Sequence, residues 1–285
     1  MRRSLLFALW IAVACCLQQS ASAQILTENA GTVSPETPTL REMLSIRRNQ
    51  GFDEGRIDHS FLFSWEAGRE IKIVVPTLQR SVHFDGQTLN STGLGDSVIR
   101  YKQVLFKEDG VLASERFAFT AELTLPTGNY QAKFNGPAGT AAEVPTELQN
   151  GMGSWYLGGG LVYTSILDRQ RFSVEGVVRK PLNGGLPSET DLNLAYWYRI
   201  TPVEFSPGEL ELRGVMEVMT AYRFGGTQEQ ERMRGTLVWL APGLQIYPNP
   251  DVQFEVGLQV PISQSINDFV GRRNIGGLAT MKIQF

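Results

Sequence analysis

The chain has 285 residues, a formal charge of -3 and no basic run, which argues against a nucleic-acid partner. Mean hydropathy is -0.13, and beyond the amino-terminal region no apolar run reaches the length of a membrane-crossing helix, so helical spans are excluded. A β-barrel escapes that test, because only alternate residues of each strand meet lipid.

Met1-Arg2-Arg3 is a basic start, Ser4–Ala14 an apolar stretch, and Ala21-Ser22-Ala23 a small-residue cleavage site. Residues 1–23 therefore read as a secretory signal peptide. Cys15 and Cys16 invite a lipoprotein reading. Ala12 or Val13 stands where such a site usually has Leu, and the downstream Ala-x-Ala site is the better one. Both cysteines fall in the removed segment, which leaves a mature chain without disulfide, thiol nucleophile or thiolate metal site. Loss of Arg2 and Arg3 takes the charge from -3 to near -5.

Residues 24–38 are polar and Pro-containing and read as a flexible periplasmic segment. From Thr39 to Phe285, period-two segments recur with alternating short and long connections. Thr39–Arg48 is a weak first strand. In Gly55–Glu66, Ile57, His59, Phe61, Phe63 and Trp65 share one face. Ala67-Gly68 turns the chain into Arg69–Arg80, and a polar loop runs to about Thr92. Asp96–Lys107 and Glu115–Pro126 form the next pair, followed by a second long loop, Gly128–Asn150. Then come Ser154–Leu167, Phe172–Leu182, Asp191–Ile200, Glu209–Phe224, Met233–Tyr247 and Val252–Ser263. The last strand carries Ile275, Gly277, Ala279, Met281, Ile283 and Phe285 on one face, with Leu278 the exception on the other. The reading is an all-β chain, an antiparallel transmembrane β-barrel of about twelve strands. A soluble sandwich is the competing fold, but its apolar terminal face would need a partner sheet.

Splitting the strands by parity gives an apolar face with aromatic residues near strand ends, and a second face carrying charges of both signs. Charges at membrane depth must face water or each other. The candidate lumen-lining residues are Arg100, Lys102, Arg116, Glu122, Trp197, Arg199 and Arg213, with Trp197 beside Arg199. The parity of Met233–Tyr247, and so the direction of Trp239, is open. Neutralising Glu122 should be mild unless it unpairs Arg100 or Lys102. No metal, cofactor or catalytic site is expected. The mature chain has only His59 and His83, and an enzyme would need a Ser or carboxylate beside one of them in space. Gly158-Gly159-Gly160 precedes no helix, so it is no phosphate loop.

Three short signatures occur in order: Gly93-Leu94-Gly95-Asp96, Thr124-Leu125-Pro126-Thr127-Gly128 and Gly153-Ser154-Trp155-Tyr156-Leu157-Gly158. Their order and spacing resemble the outer-membrane barrel family named for the meta pathway of phenol degradation, whose members are often called transporters. The resemblance implies an outer-membrane channel for small solutes, aromatic or hydrophobic compounds among them, and brings no defined site residues. Phe285 resembles the sorting ending of outer-membrane barrels, which implies the barrel-assembly machinery and outer-membrane lipids as partners. Two other readings stay open: a structural or surface-interaction barrel, and a membrane-embedded enzyme.

Overall fold

The computed structural model describes residues 30–31, 35, 37–49, 52–84, 87–131, 133–135, 141–143, 149–183, 185–204, 209–227, 234–266 and 273–285. The expected signal peptide, 1–23, and most of 24–38 lie outside the described residues. Among the described residues, everything regular is strand.

In chain order the strands are β1 (Thr39–Asn49), β2 (Phe52–Glu66), β3 (Arg69–Phe84), β4 (Gln87–Leu94), β5 (Ser97–Asp109), β6 (Ala113–Leu125), β7 (Lys133–Asn135) and β8 (Ala141–Glu143). They continue as β9 (Tyr156–Leu167), β10 (Gln170–Pro181), β11 (Ser188–Thr201), β12 (Glu211–Phe224), β13 (Gly235–Asn249), β14 (Val252–Ile266) and β15 (Arg273–Gln284). Twelve of them close an antiparallel barrel, since β1 pairs with both β2 and β15. Closure leaves no unpaired edge, the condition for strands to stand in lipid. Across the seam Leu44 lies opposite Ala279, and Thr39 opposite Gln284.

The remaining strands lie outside the wall. The segment taken as a polar loop up to Thr92 is instead a hairpin: β3 runs on past the rim to Phe84 and returns as β4, with Thr77 opposite Leu94. Its apolar residues are few, Val82, Phe84 and Leu89, and Asp85-Gly86 divides them, so no sustained alternation marks it as strand. β7 and β8 pair within the second long loop.

Side-chain alternation sets inside from outside. Phe61, Ile73, Leu161, Leu192, Leu244 and Leu258 are exposed, whereas Glu217, Glu255 and Glu70 are almost fully buried. The inversion of the soluble pattern, apolar groups out and charges in, is that of a barrel with lipid around it and a polar interior. Trp65, Trp155, Tyr196, Tyr198 and Tyr222 stand among the exposed aromatics, and Trp65 stacks with Phe63 and Tyr101.

Candidate functional site: the lumen and its rim

Toward the long-loop end, five strands bring their inward charges into one network. Cross-strand register sets Arg100 of β5 opposite Glu122 of β6. The Arg100 guanidinium donates to Glu122 Oε2 through Nε at 3.0 Å and Nη2 at 2.7 Å, and through Nη1 to Glu175 Oε1 at 3.0 Å. Glu122 also reaches Arg179 of β10, which donates from Nε to Glu122 Oε1 at 2.5 Å. β9 lies between those two strands, and the residue in line on it is Gly158. A Cβ there would sit 3.2 Å from Arg179 Cγ and 3.3 Å from the Glu122 Cβ, so the missing side chain is what lets the pair meet across β9. Arg179 further contacts Asp191 and Glu189, and Arg223 donates to Glu189 Oε2 at 2.7 Å. Lys102 pairs separately with Glu70 at 3.0 Å. Each of these charges is desolvated and has opposite charge beside it, the arrangement a low-dielectric interior requires.

The other sequence candidates lie toward the short-turn end. Arg116 contacts Ser114 and Asp109. Arg199 reaches Asp168 at 3.5 Å. Arg213 donates to Glu211 at 2.6 Å and stacks on Tyr247 at 4.5 Å. Trp197 is inward and buried, but the cation over its ring is Arg171, its partner across the β10–β11 hairpin, at 5.9 Å. Arg171 lies within electrostatic reach of Arg116 and Arg213. The seven candidates thus divide between a paired network near one mouth and a guanidinium-rich group near the other, rather than forming one ring.

Several lumen residues escaped sequence reasoning. Arg47, Glu54 and Arg80 form a buried cluster, with Arg80 donating to Glu54 at 2.5 Å. They belong to the weak first strand, the start of β2 and the last residue of the strand read as Arg69–Arg80. Trp239 points inward, 4% exposed, in an apolar patch with Met219, Ala221, Leu237, Ala241 and Leu278. Its direction was hidden because residues 237–241 are all apolar and the β13–β14 register shifts beside it. Ala30, from the segment expected to be loose, has no exposed surface. Its N–H donates to Thr164 Oγ1 at 2.8 Å, and it packs on the lumen residues Ala118 and Val162.

On the outer wall Glu42 Oε2 lies 2.6 Å from His59 Nδ1, and Thr77 Oγ1 lies 3.3 Å from His59 Nε2. A carboxylate does therefore stand beside His59. Thr77 is held in the ladder on both sides, opposite Ile57 and Leu94, so nearby backbone N–H groups are engaged in strand pairing rather than aimed at an oxyanion. The side chain of His83 lies outside the described residues. Among the described residues, no group of three His, Cys, Asp or Glu is placed to hold a metal.

At the loop-end rim the first two sequence signatures meet, together with the residue that precedes the third. Asp96 accepts from Gly128 N at 3.0 Å through Oδ1 and from Met152 N at 2.7 Å through Oδ2. Thr127 Oγ1 accepts from Ser97 N at 2.8 Å and donates to Gly95 O at 2.9 Å. A Cβ on Gly151 would lie 2.6 Å from Gly128 O and 2.7 Å from Asp96 Oδ1, which only glycine permits. Burial raises the Asp96 carboxyl above its ordinary value, against the lowering effect of its two backbone donors. Both feet of the loop 129–150 are thus tied to one carboxylate.

No family model matches the chain, and no curated protein sequence matches it. Among solved structures, it is similar to the COG4313 outer membrane channel from Pseudomonas putida F1: TM-score 0.65, 12% identity, covering 92% of this chain and 100% of that one. It is also similar to the beta domain of the Bordetella autotransporter BrkA, with TM-score 0.50, 12% identity, and coverage of 88% and 100%. The fold is that of an outer-membrane β-barrel. At these identities the likeness concerns the fold alone.

Proposed function

We propose that the protein resides in the outer membrane and is a channel for small solutes, aromatic or hydrophobic compounds among them. The observation that carries this reading is the lumen wall. One sector is a paired charge network, another is the apolar patch around Trp239, and the turn end is rich in guanidinium groups. A purely structural barrel has no need of an apolar interior sector beside charges, whereas a channel for partly apolar solutes does. We assign the chain to the phenol meta-pathway family as part of the same proposal; the meeting at Asp96 of the first two signatures and the residue preceding the third supports this. Lipids and the barrel-assembly machinery, acting through the strand that ends in Phe285, are the proposed partners.

The test is single-channel recording of the refolded protein in planar bilayers, with outer-membrane fractionation of the expressed chain. Discrete conductance steps are expected, together with heat-modifiable migration in the outer-membrane fraction. Silent bilayers containing folded barrel would favour the surface-interaction reading, which the tied loop 129–150 also suits.

A further inference from the structure

The turn end of the lumen holds one guanidinium that the networks above do not use. Arg41 projects inward from β1 and is 7% exposed. Among the described residues its Nε and Nη2 have no hydrogen-bond partner. These are the two nitrogens that Arg100 presents to Glu122, the side-on fork of a guanidinium. A buried fork without acceptors is costly, and its planar geometry matches the two oxygens of a carboxylate.

The surroundings of Arg41 narrow the ligand further. Lys282 lies opposite it across the β1–β15 seam, and Thr280, two residues along β15, lies opposite Glu255 of β14. Glu255 is within electrostatic reach of Arg41, and Gln245 and Gln253 both donate to its Oε2. Glu255 Oε1 and Thr280 Oγ1 are buried and have no hydrogen-bond partner among the described residues. Asp58, two residues along β2 from the Ser60 opposite Arg41, is already paired with Arg56. On the same face of β15 the next inward residue after Thr280 is Leu278, a member of the apolar patch that contains Trp239. Fork, hydroxyl and apolar wall are therefore contiguous.

We propose that this corner of the lumen binds an amphiphilic carboxylate: an apolar body, one ring or a short acyl chain, bearing a single carboxylate. The carboxylate accepts from the Arg41 fork and from Thr280, and the body lies on Leu278 and Trp239. A cation and an apolar surface on neighbouring positions of one wall select against both inorganic anions, which leave the patch wet, and neutral apolar molecules, which leave the fork unpaired. This deepens the channel reading and rests on it for its biological sense, but binding itself does not depend on transport.

The test is calorimetric titration of the full refolded chain in detergent with 4-phenylbutanoate, 4-phenylbutan-1-ol and acetate, each corrected for uptake by empty micelles. The acid should bind saturably and at least about ten-fold more tightly than the alcohol or acetate. Arg41→Gln should remove that preference while leaving the alcohol unchanged, and Trp239→Ala should weaken acid and alcohol together. Equal affinity of acid and alcohol in the wild-type chain would overturn the proposal without any variant having to fold. So would undiminished acid binding in Arg41→Gln. If Arg41→Gln does not refold, Thr280→Val takes its place, and acid binding to it as tight as to the wild-type chain counts against the site. Acid binding with silent bilayers would sink the channel reading and leave this site standing. Conductance without acid preference would do the reverse.

Discussion

Glu122 and Leu123 are neighbours on β6, one facing the lumen and one the lipid, and they give an internal test of how the barrel stores its stability. Parity alone makes Glu122→Gln the mild change. The structure reverses that expectation, because Glu122 is the shared acceptor of Arg100 and Arg179. Gln supplies one acceptor oxygen, turns a donor toward a guanidinium and removes the balancing charge. Losing one partner of a buried pair costs about 3–5 kcal/mol. Arg100 keeps Glu175, and Arg179 keeps Glu189 and Asp191, which sets the expectation at the lower end, about 3 kcal/mol. Leu123→Arg should cost about 2–4 kcal/mol if it lies near mid-membrane. The two neighbours are thus expected to be comparably sensitive for opposite reasons. Urea titration of the barrel refolded in phospholipid vesicles, followed by tryptophan emission, measures both. A loss below about 0.5 kcal/mol for Glu122→Gln, the range of ordinary surface changes, would refute the network argument. Strict additivity of Glu122→Gln with Arg179→Gln would do the same, since paired residues couple by about 0.5–3 kcal/mol.

The rim and the termini give further expectations. Because burial raises the Asp96 carboxyl in the folded state, the fold binds more protons than the unfolded chain, and its contribution to stability falls as pH rises from the ordinary Asp range through the raised value. Hydrogen exchange of the Gly128 and Met152 amides should follow that trend, and Asp96→Asn should flatten it; an unchanged pH slope in Asp96→Asn would exclude Asp96 as the source. Gly151→Val should loosen the same amides while the barrel still forms, and unaltered protection would mean the close approach to Gly128 is not required. Thr164→Val should speed exchange of the Ala30 amide, which loses its acceptor; the same rate in both chains would place Ala30 elsewhere. Phe285→Asp should reduce assembled barrel in the outer membrane without reducing export to the periplasm, and normal assembly would remove the terminal aromatic from the sorting signal.

What the sequence made legible follows from period two. Wherever one face was apolar and the other charged, as in β2, β6 and β15, strand and orientation could be read directly. Twelve strands and the inward placement of Arg100 and Glu122 came from that rule. It fails where the alternation is short or absent. The β3–β4 extension holds only Val82, Phe84 and Leu89, divided by Asp85-Gly86, and reads as a loop, and residues 237–241 are apolar on both sides and hide Trp239. Pairing was a different problem. That Arg179 meets Glu122 depends on the register of three strands and on the bare backbone at Gly158. Nor does composition mark Arg41, whose interest lies in the acceptors its Nε and Nη2 lack among the described residues.

The carboxylate of Asp96 also has a consequence for how the surface of this protein can vary. With both feet of residues 129–150 fastened to one side chain, the span between them begins and ends at fixed points whatever its length. Doubling such a closed span costs only about 0.6 kcal/mol. Foreign sequence placed between Asn135 and Ala141, at the tip of the β7–β8 pair, should leave the barrel wall undisturbed. The region can drift in sequence and size without cost to the wall, and it is a natural place to graft a peptide.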